Sequence, residues 1–269
     1  MFHTFFLLFI RIMRHTPRKR FGQNFLVDSQ VISDIARAIH PAEDDLLVEI
    51  GPGLGALTQP LLRLLKHLYV IEIDRDIVER LRREFPKENL TVFSANALEF
   101  DFSALGKNLR VVGNLPYNIS TPILFHLSKF VKYIDDMHFM LQKEVVARMV
   151  ATPSTSEYGR LSVMLQSRFE MEQLFIIPPE AFLPAPKVKS AIVRMVPLKQ
   201  PIIDPGREKL FASVVAASFS QRRKTLRNTL HDYLGPEDFK KLKIESGLRA
   251  ENLSMAQFVA IVNHLTRSI

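Results

Sequence analysis

From residue 46 onward, short runs of consecutive apolar residues alternate with stretches whose apolar positions recur at helical spacing. The runs 46–50, 68–73, 90–94, 109–113 and 137–141 are largely apolar without alternation, which is how strands buried on both faces of a parallel sheet read. Between them, 57–67 and 77–85 repeat apolar residues three and four apart, predicting helices that cover the sheet. Two later strands are predicted over 168–177 and 190–197, separated by a loop stiffened by Pro178, Pro179, Pro184 and Pro186. After Pro197 the texture changes: 199–206 reads as a linker, and the rest of the chain has helical pattern with no convincing strand. The predicted class is α/β, a doubly wound sheet over 19–200 followed by a small all-helical domain over 201–269.

Composition narrows the choice of partners and chemistry. The chain has 269 residues, 47% of them hydrophobic, enough to bury one sizeable core and a smaller one. Its formal net charge of +8 favours an anionic partner such as nucleic acid. With no cysteine, a disulfide framework and thiolate chemistry are excluded, and the eight histidines show no paired spacing, so no metal is expected. At the start, MFHTFFLLFI precedes RIMRHTPRKR, which puts the positive charge after the apolar run, the reverse of a secretory signal. That run is also too short to span a bilayer, and no membrane association is expected. Residues 1–18 read as an extension, untranslated or disordered, with Met13 as an alternative start; an arginine-rich presequence is the other reading.

Candidate chemistry begins at Glu49-Ile50-Gly51-Pro52-Gly53-Leu54-Gly55-Ala56, between the first strand and a helix. Gly51 and Gly53 let the backbone turn and approach a ligand at the carboxyl edge of the sheet, in a pattern that suits a dinucleotide as well as a methyl donor. Glu72, ending the second strand, is placed to accept hydrogen bonds from a ribose diol, which NAD and S-adenosylmethionine both carry. Asn114-Leu115-Pro116-Tyr117 separates the two. Asn114 and the Leu115 carbonyl are two acceptors, Pro116 stiffens the turn, and Tyr117 offers a flat face. That set suits the exocyclic amine of an aromatic base. Adenine's amine is a poor nucleophile because its lone pair is delocalised into the ring. Acceptors on both hydrogens favour a more tetrahedral nitrogen whose lone pair can point at a methyl group. Hydride transfer has no use for such an arrangement.

Together with KRFGQNFL at 19–26, YGRLSVMLQ at 158–166, FLPAPKVKSAIVRM at 182–195 and SFSQRRKTLRN at 218–228, these segments resemble the ribosomal RNA adenine dimethyltransferases, over nearly everything from Lys19 onward. The resemblance implies a Rossmann-like S-adenosylmethionine-dependent methyltransferase domain with a small all-helical C-terminal domain. It implies methyl transfer to two adjacent adenosines in a hairpin loop near the 3′ end of small-subunit (16S) ribosomal RNA, in the cytoplasm, on an assembling 30S-type particle. By the same resemblance, Gln23, Asn24 and Leu26 lie over the methionine end of the cofactor, Gly51 and Gly53 against its backbone, and Glu72 on its ribose. Asn114 contacts both cofactor and target amine, with Tyr117 and Phe182 flanking the adenine. One position departs: Asn96 stands where the family usually has Asp, keeping an acceptor for the cofactor's adenine amine but losing the charge.

RNA contact is expected from 218–231, read as one basic amphipathic helix with Arg222, Arg223, Lys224 and Arg227 outward and Phe219, Leu226 and Leu230 inward. Arg18, Lys19 and Arg20 form a second basic patch. No dimer seam is visible in the pattern, so a monomer is expected. Two rivals share the motifs: a large-subunit ribosomal RNA adenine methyltransferase of the kind that confers macrolide resistance, and a non-enzymatic mitochondrial transcription factor relative.

Overall fold

The computed structural model describes residues 23–267; the extension 1–18 and the patch Arg18, Lys19 and Arg20 lie outside the described residues. The chain forms two compact units. One runs up to Val146 and includes Glu172–Pro197, and the other comprises Ala147–Met171 and everything from Leu198. The segment Ala147–Met171, expected from its pattern within the first domain, therefore belongs with the C-terminal helices. The reason is apolar: Ala151, Tyr158 and Val163 are buried in one cluster with Phe211, Val215, Leu253 and Phe258. The Tyr158 hydroxyl also donates to the Leu253 carbonyl at 3.0 Å.

In chain order the strands are β1 (Phe25–Leu26), β2 (Leu46–Ile50), β3 (Leu68–Glu72), β4 (Leu90–Ser94), β5 (Leu109–Asn114), β6 (Ile134–Gln142), β7 (Phe169–Ile177), β8 (Phe182–Leu183) and β9 (Ser190–Pro197). Seven of them form one sheet, ordered β4-β3-β2-β5-β6-β9-β7. The β4 to β6 portion is parallel, while β9 returns antiparallel along β6. After β2 the chain moves outward through β3 and β4, then jumps back to lay β5 on the other side of β2. That reversal opens a crevice beyond the carboxyl ends of β2 and β5, the place where open α/β sheets take ligands.

The core of this unit joins Leu47, Val70, Val112 and Met140 from the strands to Ile35 and Ile39 of the helix Ser29–Ile39 and Ile77, Val78 and Leu81 of the helix Arg75–Glu84. Both helices begin on aspartates, Asp28 and Asp74, whose carboxylates accept from backbone N–H groups of the first turn. At the amino ends of β5 and β6, away from the crevice, Arg110 holds Asp136 through Nε and Nη2, each at 2.9 Å, bonds Asp45, and donates to the Ile39 and His40 carbonyls. Arg110 thereby caps the end of the first helix and ties it to the base of β5 and β6.

Two predicted helices differ from the elements that form. Over 57–67 only Thr58–Leu61 is α-helical, because Arg63 and Leu64 donate to carbonyls three residues back and tighten the turn. Leu57, Leu61 and Leu65 are nonetheless buried as the spacing required. Over 218–231 there is no continuous helix. The helix Glu208–Ser218 ends, residues 219–225 turn, and a short helix Leu226–Thr229 comes next.

Candidate active site

The crevice is lined by the four segments that leave β2, β3, β4 and β5, and is closed on one side by Gln23 to Leu26. It encloses ≈ 260 Å³. Gly51 follows β2 with φ +66 and donates its N–H to the Ile71 carbonyl at 2.9 Å, so the glycine loop turns out of the sheet in a conformation that disfavours a side chain. One strand over, a Cβ on Gly113 would run into the Ile50 carbonyl oxygen, so glycine there lets the ends of β2 and β5 approach each other.

Register brings the polar residues together. β2 pairs with β5 through Glu49 and Val112, and β3 with β4 through Glu72 and Ser94, so Glu49, Glu72, Asn96 and Asn114 all meet the same crevice. Glu72 is 7% exposed, and its Oε1 accepts from the Ile73 and Asp74 N–H groups at 2.8 and 2.9 Å. Its pKa is raised chiefly by burial, against the backbone N–H groups of Asp74, Ile73 and Gly53 that favour the charge. Since a carboxylate offers about four acceptor positions, capacity for a diol remains.

Glu49, to which the sequence pattern gave no role, is a second carboxylate in the crevice. It is 2% exposed, accepts from the Thr58 hydroxyl at 2.6 Å, and has its pKa pushed up to about 7. Burial is the main cause; the Thr58 bond opposes it and the Glu72 charge adds to it. The visible signal was an acid inside an otherwise apolar strand, Leu46-Leu47-Val48-Glu49-Ile50. The crevice carries these two buried carboxyls and, among the described residues, no lysine or arginine, so a cation bound there would favour their ionised forms. No group of three or more histidines, aspartates and glutamates is placed to hold a metal ion among the described residues.

The Asn114 side chain donates through Nδ2 to the Asn24 carbonyl at 3.0 Å, which fixes the amide and leaves Oδ1 as its acceptor. Leu115 donates its N–H to the Met140 carbonyl at 3.2 Å, anchoring the loop to β6. Tyr117 lines the crevice half-buried, with its hydroxyl 2.7 Å from Ser190 Oγ. Gln23 Nε2 donates to buried Asp74 at 3.3 Å. Asn96 Oδ1 accepts from the Leu98 N–H at 3.1 Å, and its Nδ2 donates to Glu99 at 3.2 Å. One Asn96 lone pair thus serves a local turn and a second remains.

Phe182 does not join this group. Its backbone pairs with Leu26, its ring is 3% exposed in the core, and it is not among the lining residues. Alternation along β8 explains it, since Phe182 faces in and Leu183 out. In the second unit Arg222, Arg223, Lys224 and Arg227 are exposed, the first three on the turn between helices. Arg222 also donates to the Ser156 carbonyl at 3.1 Å.

A family model described as ribosomal RNA adenine dimethylase matches residues 14–267. The ribosomal RNA small subunit methyltransferase A of Nitrosospira multiformis is 71% identical over 255 residues, 95% of this chain and 98% of its own. Among solved structures, a dimethyladenosine transferase from Plasmodium falciparum superposes with TM-score 0.77 at 24% identity, covering 90% of this chain and 98% of the other. The 23S rRNA methyltransferase ErmE does so with TM-score 0.71 at 24% identity, covering 90% and 100%.

Proposed function

The chain belongs to the ribosomal RNA adenine dimethylase family, and on that premise we propose that it transfers methyl groups from S-adenosylmethionine to the exocyclic amines of two adjacent adenosines near the 3′ end of small-subunit ribosomal RNA. The observation that carries the reading is the amide of Asn114, held by Asn24 with its acceptor oxygen free for an amine, in a crevice lined also by Tyr117 and the carboxyls of Glu49 and Glu72. Similarity at 71% identity to a small-subunit enzyme supports this substrate over the large-subunit rival, since the fold alone fits both. The substrate is taken as ribosomal RNA within an assembling 30S-type particle in the cytoplasm, and the working protein as a monomer.

The residues present fit the cofactor. Glu72 would accept the ribose hydroxyls, Asn96 the adenine amine, and the glycine loop would pass along its backbone, with Gln23, Asn24 and Leu26 over the methionine end. Buried carboxylates at Glu49 and Glu72 favour its positive charge. When bound, S-adenosylmethionine supplies a methyl group already activated on a sulfonium. The chain's task is therefore alignment and polarisation. Asn114 Oδ1 and the Leu115 carbonyl hold the hydrogens of the amine and turn its lone pair out of the ring, while Tyr117 supports the base. Each transfer leaves a positively charged nitrogen that becomes neutral by losing one proton to water, one of two after the first methyl group and the last after the second, so no histidine or serine relay is required. The base must leave its stack, which costs a few kcal/mol and least in a loop. The exposed Arg222, Arg223, Lys224 and Arg227 would neutralise phosphates of the same RNA.

Asn114→Ala tests this directly. Turnover should fall about a hundredfold, as for loss of one preorganised polar contact to the reacting group, with RNA affinity nearly unchanged. Equal losses in both would remove the polarising role.

A further inference from the structure

The apolar strand β9 starts on a serine that the reaction as described does not use. Ser190 is 0% exposed and opens the sequence Ser190-Ala191-Ile192-Val193, where each of the other three side chains is apolar and buried. A hydroxyl at such a position is unfavourable unless it is bonded. Its Oγ lies 2.7 Å from Tyr117 Oη. The sheet explains how residues 73 apart in sequence meet. Asn114 of β5 pairs with Met140 of β6, and Gln142, two residues further along β6, pairs with Ser190 of β9. The loop that leaves β5 thus crosses the end of β6 and delivers the Tyr117 hydroxyl to the first residue of β9.

We propose that Ser190 is a positioning residue for base recognition: by bonding the phenolic end of Tyr117, it fixes the plane of the ring against which the target adenine is held. The inference rests on the role assigned to Tyr117 under the proposed function. The ring is fastened from both ends. Its backbone is set by the loop, where Ile119 N–H donates to the Pro116 carbonyl at 3.1 Å and the Ser120 hydroxyl to the Tyr117 carbonyl at 3.1 Å. Its tip is set by Ser190. Without the second fastening the side chain could turn about its own bonds, and the base would lose its fixed distance from Asn114. Small errors in that distance matter more to the reacting geometry than to binding.

The test is a double-mutant cycle on the full chain, with Ser190→Ala, Tyr117→Phe and both together, reading kcat and KM for unmethylated small subunits, S-adenosylmethionine affinity and the melting temperature. Each single variant should lower kcat roughly fivefold to tenfold, the range one hydrogen bond supports. KM and cofactor affinity should be unchanged, and the double variant should be no slower than the worse single. Multiplying losses would make the two residues independent and overturn the proposal. Tyr117→Phe breaks the same bond from the half-buried side, so the test survives if Ser190→Ala does not fold; wild-type kcat in Tyr117→Phe would then refute it. Tyr117→Ala separates the two levels of inference. If it abolishes turnover while Ser190→Ala is normal, Tyr117 keeps its role and Ser190 has none. If Tyr117→Ala is fully active, the reading of the tyrosine fails and the proposal with it.

Discussion

Replacing Glu49 by Gln should strengthen the ligand-free fold and weaken cofactor binding at the same time. In the folded chain the carboxyl has a pKa of about 7, against an ordinary value of 4.5, chiefly because it is buried. A group whose pKa is raised by folding contributes stability that is fully present below its unfolded value and is lost as pH rises through the folded one. The difference of about 2.5 pH units corresponds to ~3 kcal/mol lost by the wild type between pH 4.5 and somewhat above 7. Glutamine carries no charge and retains an acceptor for Thr58. Glu49→Gln should therefore gain on the wild type as pH rises, reaching roughly 1–3 kcal/mol at pH 8. His138, buried with both ring nitrogens lacking a hydrogen-bond partner and its pKa lowered to about 4, destabilises in the opposite direction as pH falls. Both proteins contain it, so it cancels in the comparison. Cofactor binding should show the reverse preference. A cation in the crevice favours ionised Glu49, so wild-type affinity should fall up to tenfold per pH unit below about 7, where the free carboxyl is protonated. Glu49→Gln should bind more weakly at pH 8 with little pH slope. Denaturant unfolding without ligand from pH 5 to 8, and calorimetric titration of S-adenosylmethionine over the same range, measure both. Parallel stability curves together with equal binding slopes would refute the reasoning.

The same geometry sets three further outcomes. Asn96→Asp introduces a charged acceptor in the crevice and should tighten cofactor binding severalfold, because charge-assisted hydrogen bonds are about twice as strong as neutral ones; unchanged affinity in titration would remove Asn96 from the cofactor contacts. Gly113→Ala places a methyl group against the Ile50 carbonyl and should destabilise the fold by about 1–3 kcal/mol in denaturant unfolding, with wild-type stability as the contrary result. Replacing Arg222, Arg223 and Lys224 together with Ala should reduce the slope of log affinity against log salt by about 2 for a single-stranded target; an unchanged slope would place RNA binding elsewhere.

Much of this molecule was legible from local pattern because burial on both sides of a sheet leaves a local trace. The spans 46–50, 90–94 and 190–197 coincide with β2, β4 and β9, and the loops after β2 and β5 carry the residues that line the crevice. The features that escaped depend on contacts between distant segments. The two-residue pair β1 and β8 has too little sequence to show a period, yet its Phe182 is buried in the core. The basic stretch after Ser218 has helical spacing of Leu226 and Leu230, both buried, but three adjacent cations and the extended backbone of Thr225 leave a turn before them. The bond between Ser190 and Tyr117 depends on sheet register, which neither segment encodes alone.

The central claim is tested most directly by supplying labelled S-adenosylmethionine and unmethylated small ribosomal subunits, then digesting the RNA and identifying the labelled base. Dimethyladenosine at two adjacent positions near the 3′ end of the small-subunit RNA is the expected product. RNA that is bound but never labelled, or label that enters only large-subunit RNA, would contradict the account.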